Sequence, residues 1–141
     1  MNVKIYGTRW DKDPDFEFLK SRVHLGHVAN SRYTKIIQNS KIALAIFSDQ
    51  NRDSITRRVS EITAIGTLLC SYKTKTMAKN FIENREVVYF RSAKECYLKC
   101  NYYLKNKKLL KKIALNGKRK TTKILKINNY EMIKKIINKV N

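Results

Sequence analysis

The strongest constraint on the fold is a continuous apolar run from Ile42 to Phe47, bounded by polar residues on both sides. It is too short to span a membrane, and with no alternating polar face it suits a strand in the middle of a parallel sheet covered on both sides. The pattern around it then repeats. Helical spacing from about Thr56 to Ile65 leads to a strand over Thr67–Ser71, and a helix from about Thr76 to Ile82 leads to a strand over Val87–Phe90. Upstream, a strand over Asn2–Tyr6 ends at Gly7, and a polar loop runs from Trp10 past Pro14. A second strand, Val23–Val28, is interrupted by Gly26, and Ser31–Asn39 has helical spacing. About five strands alternating with helices predict an α/β domain with a mainly parallel sheet. Three helices complete the reading: Ala93–Leu104, Lys107 to about Lys118 and, past a polar bridge, Tyr130–Val140 with Met132, Ile133, Ile136, Ile137 and Val140 on one face.

With 141 residues, 43% of them hydrophobic and only four glycines and one proline, the chain has the makings of one domain with a real core. No basic-then-apolar leader opens it, so a soluble cytoplasmic protein is expected. The net charge of +20 is unevenly spread. Residues 91–141 hold 16 Lys/Arg against 2 acids, a net of +14, while residues 1–90 hold 15 against 9, a net of +6. This helical basic region attracts polyanions or an anionic membrane surface whatever its fold, but charge alone names no function. Its lysines alternate with Leu, Ile and Tyr, as solvated faces of amphipathic helices do. A dedicated nucleic-acid-binding role is the rival reading.

The three cysteines form no Cys-x-x-Cys pair and no zinc-spaced Cys/His cluster. Cys96 and Cys100 share a helix face, but no third ligand lies near them in sequence, so small apolar packing residues are the plainer reading and no metal is expected. Trp10, Tyr97, Tyr102 and Tyr103 read as packing aromatics. No Ser-His-Asp or Cys-His arrangement, Walker loop or Gly-x-Gly-x-x-Gly is present.

Parallel sheets bind ligands at the carboxyl ends of their strands, where helix amino termini face anions. The loop over residues 48–56 follows the Ile42–Phe47 strand and so lies on that rim. It opens the segment in which Asp53 and Glu61 flank the basic pair Arg57-Arg58, ahead of Gly66, which suits a left-handed helix exit. Each residue also has a plain reading. Asp53 serves as a helix cap, Glu61 is a solvated charge, Arg58 pairs with Glu61 at i, i+3, and His27 is a turn residue.

The order Val3–Gly7, Leu25-Gly-His-Val28, Tyr33 with its helix into Ser40–Leu44, Arg58-Val-Ser-Glu61 with Gly66-Thr-Leu-Leu69, and Glu86–Phe90 resembles the carboxyl-terminal domain of group 1 glycosyltransferases. Its nearest form is the spore-maturation CgeB-like branch, and the similarity extends through Asn116-Gly-Lys-Arg119 to the last helix. The resemblance implies a single Rossmann-like domain over residues 1–141, half of a GT-B fold, that binds a nucleoside-diphosphate-sugar donor without a cofactor or obligatory metal. In the family's E-x7-E signature, Glu61 matches the ribose-binding carboxylate and Asp53 stands at the position facing the donor sugar, with Asp for Glu. Arg58 matches the branch arginine toward the diphosphate, beside Arg57, and His27 is placed to touch a donor phosphate. Ser60 replaces the usual Phe, and the acceptor-binding domain is expected from a longer protein or a partner chain.

Overall fold

The computed structural model describes the backbone of residues 1–47 and 53–140, and side chains as far as residue 123. Much of the loop 48–56 and the apolar face expected over 130–140 therefore lie outside the described side chains. The chain divides into two compact units, Met1–Ile36 and Ile37–Asn141.

In the first unit, β1 (Ile5–Gly7) and β2 (Val23–Leu25) pair in parallel, Ile5 opposite Val23. The rings of Tyr6 and His24, opposite each other in this register, stack at 4.5 Å. The connection expected as a polar loop contains two 3-10 turns, Trp10–Lys12 and Lys20–Arg22, and the one-turn helix α1 (Phe16–Leu19). Polar composition alone did not signal these short turns, because local backbone hydrogen bonds such as Asp13 N–H to the Trp10 carbonyl suffice to form them. α2 (Asn30–Gln38) follows.

The second unit is built on three parallel strands in the order β3 (Ile42–Ala45), β4 (Leu68–Tyr72) and β5 (Val88–Phe90). All five expected strands thus form, in parallel sheets of two and three. Within the three-stranded sheet β4, not β3, is central. Leu68 to Ser71 are all buried, whereas Leu44 is 44% exposed and Ile46 74%. An unbroken apolar run fits a central strand and a one-sided edge strand equally well, and only the pairing separates the two.

Alternation along β4 and β5 divides the core between the two faces of the sheet. On one, Ala43, Ala45, Leu69, Val87 and Tyr89 pack with Val59 and Ile62 of α3 (Arg57–Ile65), Met77 of α4 (Lys75–Asn80) and Phe81 just beyond it. On the other, Leu68, Cys70, Val88 and Phe90 meet Cys100 and Tyr103 of α5 (Ala93–Lys105) and Leu110, Ile113 and Ala114 of α6 (Lys107–Val140). Each wholly buried aliphatic side chain in these layers contributes roughly 1.5–3 kcal/mol.

α6 is continuous over 34 residues, so the polar bridge expected after Lys118 is helical. Lys118-Arg-Lys-Thr-Thr-Lys123 holds neither proline nor glycine, and lysine and arginine are good helix formers, so polarity there marks a solvated face and not a break. α6 is fastened to α3 by a 2.7 Å hydrogen bond between the buried hydroxyls of Thr63 and Thr121. No described helix is long and apolar enough to cross a membrane.

Candidate functional site

At the carboxyl rim of the three-stranded sheet, helices α3, α4 and α5 each follow a strand and start there. Thr56, in extended conformation, occupies the residue before α3, and its carbonyl accepts from Val59 N–H. Asp53 is therefore not the cap. It lies three residues earlier, half-buried, in the stretch leading to the helix. That stretch is tied to the next helix: the Thr74 hydroxyl donates to the Ser54 carbonyl at 2.6 Å and accepts from Met77 N–H at 3.0 Å, capping α4.

α3 buries Val59, Ile62 and Thr63 and turns Arg57 and Glu61 away from the core. Arg57 Nε stands 2.9 Å from Glu61 Oε1, with the arginine side chain 90% exposed and the glutamate 35%. Glu61 thus pairs with Arg57 at i, i+4, a contact that the sequence reading did not name. Arg58 is the second, exposed residue of the same helix. A pair this exposed contributes about 0.2–1 kcal/mol, so a ligand hydroxyl can take the carboxylate at little cost. Gly66 ends α3 at φ +96°, its N–H bonded to the carbonyls of Ile62 and Thr63, as the sequence predicts. His27 stands exposed between β2 and α2 in the first unit.

Two side-chain clusters escaped sequence reasoning. Around Glu83, Lys73 Nζ reaches Oε2 at 2.8 Å and Lys99 Nζ reaches Oε1 at 3.0 Å. Lys99 also pairs with Glu95 at 2.9 Å and donates to the Tyr89 carbonyl at 2.7 Å, and Arg91 pairs with Glu95 at 3.3 Å. Only Glu95–Lys99 and Arg91–Glu95, at i, i+4, had a sequence signature.

Burial alone would raise the Glu83 pKa, but the hydrogen bonds from Lys73 and Lys99 outweigh it and hold the carboxyl below its ordinary value. A depressed folded-state pKa gives stability that is present at neutral pH and lost as pH falls below the ordinary carboxylate range through the folded value. Glu83→Gln is expected to cost about 2 kcal/mol at pH 7 and to flatten the acid limb of stability. Urea midpoints measured from pH 7 down to pH 3 check this.

The second cluster joins Cys70 of β4 to Cys96 and Cys100 of α5, whose three sulfurs lie within 4.8 Å of one another. The third thiol missing from the sequence neighbourhood is supplied by the adjacent strand. A hydrogen bond from Cys70, with another from Cys96, brings Cys100 down to about 7 against the effect of burial. Cys70 is raised by its bond to Cys100 and by burial, and Cys96 is pushed up to about 11, mainly by burial. Of the aromatics expected to pack, Tyr103 is buried, whereas Tyr97 and Tyr102 stand more than half exposed on α5.

The family model described as glycosyl transferase-like matches residues 1–130. No curated protein sequence matches significantly. Among solved structures, the C-terminal domain of a glycosyl transferase group 1 family protein (LpcC) from Francisella tularensis is similar with a TM-score of 0.65 at 16% identity, over 80% of this chain. The chain spans 62% of that structure's chain. At this identity the likeness concerns the fold, which is that of a GT-B carboxyl-terminal domain. The parallel strands, the helix amino termini gathered at their carboxyl rim and the match over residues 1–130 agree, and the chain belongs to the glycosyl transferase-like family.

Proposed function

We propose that this chain is the donor-binding half of a glycosyltransferase of the CgeB-like branch, holding a nucleoside-diphosphate sugar whose glycosyl group passes to an acceptor hydroxyl. The observation that supports it most is Glu61. It is a partly exposed carboxylate one turn into α3, whose ion-pair partner among the described residues is a solvent-facing arginine. A carboxylate there accepts two hydrogen bonds from a ribose diol. Arg57 and Arg58, the first two residues of α3, offer cationic groups beside the helix amino terminus, where a diphosphate gains from both side-chain charge and backbone N–H groups. Asp53, in the stretch leading to that helix, is assigned to the donor sugar.

In transfer, the bond from the anomeric carbon to the diphosphate breaks as the acceptor oxygen bonds to that carbon, and the acceptor proton leaves. The leaving diphosphate gains negative charge, which cationic side chains and helix N–H groups stabilise. Orienting the acceptor requires an opposing domain, supplied by a longer protein or a partner chain, because a lone donor half lacks the positioning contribution to the rate. The basic α6, with Lys111, Lys112, Lys118 and Arg119 all exposed, is available to that partner or to a polyanionic or membrane-bound acceptor.

Calorimetric titration with UDP, GDP and their sugars near physiological salt tests the reading. One nucleotide is expected to bind saturably, and Glu61→Ala to weaken it about 100-fold, the loss of two charge-assisted hydrogen bonds at about 1.5 kcal/mol each. If no nucleotide binds while a DNA oligonucleotide does, with steep salt dependence and indifference to Glu61, the basic nucleic-acid reading replaces this one.

A further inference from the structure

We infer that Cys70, Cys96 and Cys100 together form a three-thiolate site for a soft divalent d10 cation of the zinc and cadmium class. All three cysteines of the chain converge at this point, drawn from two elements. Cys96 and Cys100, one turn apart on α5, face β4, where Cys70 belongs to the buried layer beneath that helix. Thiol packing as small apolar groups accounts for any one of them, but it does not require three sulfurs within 4.8 Å of one another.

Metal geometry fits the spacing. With metal–sulfur bonds of about 2.3 Å, three sulfurs around one ion sit about 4 Å apart, so the observed arrangement closes onto an ion with sub-ångström side-chain adjustment. Sulfur ligands exclude magnesium and calcium, which take oxygen. Charge favours a divalent ion over copper(I). Binding converts M2+ and three thiols into M(S-Cys)3 with one net negative charge and three released protons, whereas a monovalent ion leaves two negative charges among apolar neighbours, at higher cost. Cys70 and Cys100 are buried, while Cys96 is only half-buried and marks the side from which the ion enters and a fourth, exchangeable ligand binds.

The test uses the full chain, reduced and freed of metal with a chelator, then titrated with Cd(II) alone. Thiolate-to-cadmium charge-transfer absorption is expected to saturate at one ion per chain, with Zn(II) displacing Cd(II) and Mg(II) having no effect. Cys96→Ser, at the most exposed of the three positions, is expected to weaken binding by more than about 100-fold, beyond the usual effect of losing an outer-shell partner. Far-UV circular dichroism and the urea midpoint verify that this variant is folded. Should Cys100→Ser or Cys70→Ser unfold the chain, the Cys96 comparison still decides. Absence of the charge-transfer band, or a Cys96→Ser affinity within about tenfold of the parent, overturns the site.

Discussion

Gly117→Ala is expected to destabilise the protein by about 1–3 kcal/mol, although alanine is the better helix former by about 1 kcal/mol. A Cβ at Gly117 would stand 2.4 Å from the backbone carbonyl oxygen of Glu86, a contact no side-chain rotation relieves. α6 approaches the turn before β5 that closely because glycine is there, and Asn116 Nδ2 donates to the neighbouring Arg85 carbonyl at 3.0 Å. The substitution must therefore move the helix or the turn, loosening Ile113 and Ala114 from the core layer they share with β4 and β5. Urea unfolding reads the result as a lower midpoint at unchanged slope. A midpoint that rises would mean that helix propensity dominates and that α6 does not press on the turn. Gly26 provides the contrast, since a Cβ there meets nothing within 4 Å, although its φ of +110° still strains any other residue.

Tyr89 carries the second large effect. Its ring is wholly buried, and its one hydroxyl proton is shared between the carbonyls of Met77 within α4, at 2.7 Å, and Phe81 just beyond the helix, at 3.0 Å. Tyr89→Phe keeps the ring and removes the donor; the Met77 carbonyl keeps its bond from Phe81 N–H, while the Phe81 carbonyl loses the hydroxyl, at a cost of about 1–3 kcal/mol. Tyr89→Ala also empties the ring's volume and is expected to cost about 3–5 kcal/mol in total, a large share of the roughly 5–15 kcal/mol that holds an ordinary domain folded. Paired urea midpoints separate the two contributions. Equal losses in both variants would show that the hydroxyl, not packing, carries the effect. The phenylalanine variant also bears on the candidate site, because α4 is capped by Thr74, whose hydroxyl holds the Ser54 carbonyl in the stretch ahead of α3.

Strand positions were legible because apolar runs and their polar borders are local properties, and each of the five expected strands forms within a few residues of its predicted bounds. Gly66 was legible for the same reason: a left-handed helix exit depends on one residue's freedom. Expectations that needed a choice between near neighbours fared less well. The helix starts where its spacing placed it, but Thr56 and not Asp53 stands at the cap, and Arg57 makes the contact with Glu61 that the plain reading gave to Arg58. Periodicity places such residues within a turn of each other, and side-chain reach decides among them. The continuous α6 was missed because a polar stretch was read as a break, when it lacks any residue that stops a helix.

By itself, then, the sequence determined the order of the five strands and of the helices between β2 and β5, the parallel α/β class and the candidate carboxylate and arginines at the head of α3, since spacing along the chain encodes them. Tertiary structure alone decided that β4 and not β3 lies central in its sheet, that Glu83 gathers Lys73 and Lys99, that Gly117 meets Glu86, and that Cys70 joins Cys96 and Cys100. Each of these is a meeting of residues distant in the chain. Such contacts depend on which strands pair and which helix faces cover them, and no local window of sequence carries that information.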